Sequence, residues 1–150
     1  MPHSNLQRLR EISGHLVDPD IAIGIFELLP DAIVVVDTEG RIQLVNRQAE
    51  LILGYPRKEM FDQPVEILLP EDLRHKHVHS RTEYVLDPHL RPMGLHAQKL
   101  IVKRKDGLTF RAQINLSPLV TPMGLLVLAV IRRVSEQRWT ADHDKPNTHG

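Results

Sequence analysis

The chain predicts an α+β domain, a five-stranded antiparallel sheet with short helices on one face. Three observations carry this. Two apolar runs, 32–37 and 41–46, are joined by the acidic turn Thr38-Glu39-Gly40, which reads as a hairpin. From Thr109 to Leu119 the residues alternate, with Phe110, Ala112, Ile114 and Leu116 on one side and Arg111, Gln113, Asn115 and Ser117 on the other. Between these β regions, capping and breaking residues divide the chain into short helices.

Taken in order, residues 5–17 read as an amphipathic helix stopped at Asp18-Pro19. A more apolar helix, 21–29, follows and ends at Pro30. The run 32–37 is β-branched and continuous, as in a strand buried on both faces. Asn46 can cap a helix over 47–53, closed by Gly54. Residues 55–69, interrupted by Pro56 and Pro64, predict one or two helical turns. Pro70, with Glu71 and Asp72 in the first turn, opens a longer helix to about Val85. A loop through Arg91-Pro92-Met93-Gly94 leads to a strand over 97–104, and Lys105-Asp106-Gly107 is a hairpin turn. A last strand spans 123–134, and the polar tail from Thr140 is expected to lack fixed structure.

Composition narrows the function. Lys plus Arg and Asp plus Glu number 19 each, so no global basic field draws the chain to nucleic acid or anionic membrane. The absence of cysteine excludes disulfides, thiolate metal sites and cysteine nucleophiles. The longest apolar run, 125–131, is far short of the roughly 18 residues of a membrane span. The first residues do not resemble a signal peptide, so a cytoplasmic location is expected. No phosphate-cradling glycine loop, Gly-x-Ser-x-Gly elbow or metalloprotease helix motif appears, and an enzyme is not expected.

Several local words together resemble the PAS superfamily. They are Leu29-Pro30-Asp31-Ala32, then Val36-Asp37-Thr38-Glu39-Gly40-Arg41-Ile42, Leu53-Gly54-Tyr55, Leu69-Pro70-Glu71-Asp72-Leu73-Arg74, Lys103-Arg104-Lys105-Asp106-Gly107, and Leu116-Ser117-Pro118-Leu119. The resemblance covers 27–134. It implies the PAS fold, preceded by an N-terminal helical or dimerisation segment over 1–26 and followed by an exit linker and tail over 135–150. It also implies a sensory module that binds a small ligand or cofactor between sheet and helices, or dimerises, and controls an output domain or signalling partner outside this chain; a homodimer is expected. The last strand leaves through Arg132-Arg133-Val134-Ser135-Glu136, not through the acidic-x-threonine exit frequent in the family. Trp139 can begin a linker helix beyond it.

The helix after Pro70 carries His75, His77 and His79. At roughly 100° per residue, Leu73, His77 and Tyr84 share one inward stripe with Ser80 close by, while His75 and His79 lie on the outer side. The pattern Pro70-Glu71-x-x-Arg74-x-x-His77 with Tyr84 resembles the haem-binding PAS gas sensors and puts His77 at their iron-ligand position. The resemblance therefore implies haem b, with His77 as metal ligand and with Tyr84, Met93, His96, Gln98, Ile114 and Leu116 as further cofactor-binding residues. Those sensors set an arginine on the first strand of the second hairpin. Anchoring on Gly94 puts Ala97 there, and anchoring on Lys105-Asp106-Gly107 puts Gln98 there. Gln98 can donate a hydrogen bond, more weakly than a guanidinium, and His96 or Met93 can instead occupy the sixth coordination position. Three other readings stay open: a cofactor-free dimerisation or interaction module, a metabolite-binding sensor, and a non-covalent flavin. His75 and His79 have the i, i+4 spacing of a helical zinc pair, which needs a third protein ligand; no cysteine is available and Glu71 could assist, but a solvated helix face is the expected reading.

Overall fold

The computed structural model describes residues 19–86, 91–93 and 100–134. The helix expected over 5–17, the tail and Trp139 lie outside them, as do His96, Ala97 and Gln98. Helix α1 spans Pro19–Leu28. Strands β1 (Ala32–Val36) and β2 (Ile42–Val45) form the first hairpin. Helices α2 (Arg47–Leu53) and α3 (Arg57–Met60), a 3₁₀ turn at Val65–Leu68 and helix α4 (Glu71–Leu86) follow. Strands β3 (Arg91–Met93), β4 (Leu100–Lys103), β5 (Thr109–Thr121) and β6 (Gly124–Arg133) complete the chain.

All strand pairings are antiparallel, and the path across the sheet is β2-β1-β6-β5, with β3 and β4 both paired to β5. The sheet is thus five strands wide. The last strand pairs with the first, Val34 opposite Ala129, and this closure puts β1 in the interior. Ala32 to Val35 are buried without interruption, as a strand covered on both faces requires.

One element departs from the sequence expectation. Residues 91–93, read as loop, form the short strand β3 opposite 114–116 of β5. The reason is length. β5 has 13 residues and β4 only four, so β5 has an edge that β4 does not cover, and the passing chain pairs with it. Pro92 has no N–H to give, which an edge strand tolerates.

Local chemistry explains the turns and caps. Asp37 Oδ1 accepts from the amides of Glu39 and Arg41, both at 2.9 Å, and folds the β1–β2 turn around itself. Gly40 supplies the positive φ of 77° that the turn needs. Asn46 caps α2 through Ala49 N at 3.0 Å. The same Oδ1 accepts from Ile33 N at 2.9 Å, while Nδ2 donates to the carbonyls of Phe26 at 3.2 Å and Asp31 at 2.9 Å. Asn46 is 0% exposed, so this one buried amide pins α1, β1 and α2 together with its donors and acceptor satisfied. The core lies between the sheet and the short helices, where Val34, Ile42, Leu53, Met60 and Val102 are fully enclosed.

Candidate functional site

The helical stretch and the sheet do not meet everywhere. Between α4 and the sheet lies a cavity of about 120 Å³. Its floor is aliphatic: Val34 and Val36 from β1, Leu100 and Val102 from β4, Ile114 and Leu116 from β5, and Val127, Ala129 and Ile131 from β6. Every second residue of each strand points the same way, so one face of the sheet delivers this lining. Its polar wall comes from α4 and the β1–β2 turn, with His77, Ser80, Arg81 and Tyr84 facing Asp37, Thr38 and Gly40.

The inward stripe read from the sequence is therefore largely correct. His77, Ser80 and Tyr84 line the cavity, as do Ile114 and Leu116. Leu73 is half-buried but does not line it. His75 and His79 are exposed, and His79 Nε2 pairs with Glu83 at 3.2 Å. Met93 lies in β3 at the register position of Ile114. His96, read with Met93 for the sixth position, and Gln98, read as a hydrogen-bond donor, lie outside the described residues.

Sequence reasoning missed Glu66. It sits in the 3₁₀ turn between Pro64 and Pro70, and its side chain is only 6% exposed. One carboxylate oxygen lies 2.7 Å from His77 Nδ1. Arg81 Nε donates to both carboxylate oxygens, at 3.1 and 3.2 Å. His77 and Arg81 are one turn apart on α4 and share a face, so both reach the same carboxylate. A buried carboxylate without partners would be costly, and this one has two. The signal was present in the sequence: a single carboxylate inside the apolar run Val65-Glu66-Ile67-Leu68-Leu69. What partners it had could not be read there.

Arg81 also crosses the turn below it. Its guanidinium packs on Gly40 so closely that a β-carbon there would overlap it. The 3₁₀ turn, α4 and the β1–β2 turn therefore meet at one point at the edge of the cavity. Elsewhere α4 leans mainly on the 3₁₀ turn, with few approaches to the sheet.

The residues suit a flat, apolar, metal-bearing ligand in two respects. The floor is aliphatic over four strands. The His77–Glu66 contact uses Nδ1 and leaves Nε2 as the nitrogen for a metal, with a carboxylate behind the imidazole. In size the cavity is close to the roughly 150 Å³ that takes a benzene ring, so a macrocycle needs α4 to draw back from the sheet. No helix among the described residues is long and apolar enough to cross a membrane.

Comparison with known proteins agrees with this fold. The PAS family, described as the PAS fold, matches residues 24–134. The sensor protein FixL of Bradyrhizobium diazoefficiens is 31% identical over 118 residues, which cover 77% of this chain and 23% of FixL. The chain thus spans about a quarter of that relative's length. A PAS domain from Colwellia psychrerythraea superposes with a TM-score of 0.65 at 22% identity, covering 78% of this chain and 97% of that one. The PAS domain of nitrogen regulation protein NR(II) from Vibrio parahaemolyticus does so with a TM-score of 0.60 at 18% identity, covering 76% and 98%. The chain belongs to the PAS family, the sensory modules of signalling proteins.

Proposed function

We propose that this PAS module binds haem b in its cleft through His77 and acts as a gas or redox sensor for an output domain or signalling partner outside the chain. It works as a regulatory module and not as an enzyme, in the cytoplasm. The observation that carries this reading is His77 itself, an imidazole on the cavity wall with Nδ1 held by a buried carboxylate. The register that the sequence shares with haem-binding PAS sensors supports it. When bound, haem supplies reversible gas binding and one-electron redox chemistry. His77 would hold the metal. Ile114, Leu116 and Tyr84 would give the ligand an apolar lining, and Met93, His96 and Gln98 are proposed as further contacts.

The cavity volume of about 120 Å³ favours a second reading, a small apolar metabolite in the same cleft. One experiment separates the two. The protein is expressed with a haem supply and its absorption spectrum recorded. A Soret band that disappears in His77→Ala, and weakens when Leu116→Trp fills the cleft, supports haem. No band, or one unchanged by His77→Ala, sinks it.

A homodimer is proposed through α1. This helix has no buried residue and presents Ile23, Ile25 and Leu28, the last 80% exposed. An apolar helix left in water gains by pairing with a second copy. Ile23→Glu with Leu28→Glu is expected to give a folded monomer by sedimentation, and an unchanged dimer excludes α1 as the interface.

A further inference from the structure

We propose that Glu66 is the positioning residue of this site: it holds His77 in the tautomer protonated on Nδ1, so that Nε2 presents the free lone pair. Only the consequences for a bound metal rest on the haem reading above. The tautomer is a property of the protein alone.

The argument begins with the 3₁₀ turn. Leu69 N donates to Glu66 O at 3.1 Å, closing the turn that carries Glu66. The carboxylate is buried, so it must be met by donors. Arg81 provides one through Nε and also supplies the countercharge. The other approach, at 2.7 Å, comes from His77 Nδ1. An ionised carboxylate accepts and does not donate. The proton between them therefore sits on Nδ1, and a neutral imidazole carries only one ring proton. The length suits a charge-assisted hydrogen bond.

Three side chains from two elements thus constrain one another, which is what a preorganised ligand needs. A carboxylate behind a ligating imidazole also raises its basicity. For a metal on Nε2, this favours the more oxidised state. A carbonyl or water in the place of Glu66 would do so less.

The test has two parts. Long-range proton–nitrogen NMR of the ligand-free protein, above the ordinary titration range of histidine, is expected to show His77 protonated at Nδ1 and bare at Nε2. Glu66→Gln is expected to move it toward a mixture of tautomers. Finding Nε2 protonated in the wild type overturns the proposal. So does a Glu66→Gln variant with the wild-type tautomer. If Glu66→Gln does not fold, the wild-type spectrum still decides.

In the haem-loaded protein, Glu66→Gln is expected to raise the reduction potential and weaken haem binding roughly 10–100-fold. A potential unmoved by Glu66→Gln overturns the metal-tuning part. Failure of the wild type to take up haem removes the haem reading while the ligand-free spectra still judge Glu66.

Discussion

The guanidinium of Arg81 lies directly against the backbone of Gly40, joining the middle of α4 to the turn between β1 and β2. Arg81 cannot simply swing aside, because its Nε is held by both oxygens of Glu66. Gly40 meanwhile needs a positive φ of 77°.

Gly40→Ala is therefore expected to destabilise the fold by about 1–3 kcal/mol, from left-handed backbone strain together with the loss of the Arg81–Glu66 geometry. Urea denaturation of Gly40→Ala, Arg81→Ala and the double variant checks this. The two changes should be coupled by more than about 0.5 kcal/mol, since Arg81→Ala removes the overlap. Additive effects would show that strain alone is responsible.

Asn46 should be among the costliest polar positions. Asn46→Leu leaves the amides of Ile33 and Ala49 and the carbonyls of Phe26 and Asp31 without the partners they have now. A loss of about 2–4 kcal/mol is expected from the urea midpoint. Leu51→Ala, at an exposed position of the same helix, should stay within about 0.5 kcal/mol. Similar midpoints for the two variants would contradict the pinning role.

Arg57 ties α1 to α2. Its guanidinium reaches Glu27 at 2.9 Å and Glu50 at 2.6 Å. The side-chain hydrogen bond from Arg57 holds the Glu50 carboxyl below its ordinary range. A carboxyl depressed on folding stabilises the fold above its unfolded value, about 4.3. That contribution is lost as pH falls through the lower folded value. Arg57→Met should therefore lower stability near neutral pH, by at most about 1 kcal/mol for so exposed a pair. The gap to wild type should close on acidification and shrink with added salt. A gap that widens toward low pH would reverse the assignment.

The sequence by itself determined what depends on neighbours along the chain. The Asp37 and Gly40 turn, the Asn46 and Gly54 caps of α2, the start of α4 and the alternation of β5 are all local. A cap or a turn is decided within a few residues, and a two-residue period needs only one covered face. Those constraints gave the order of elements and the inward stripe of His77 and Tyr84. Only the tertiary structure decided the rest. Glu66 finds His77 and Arg81 eleven and fifteen residues away on another element. Asn46 reaches back twenty residues to Phe26, and Arg91–Met93 becomes a strand because β5 outruns β4. Each is a case of a polar group, side chain or backbone, being matched to a partner by the packing of separate elements, a choice that no local pattern encodes.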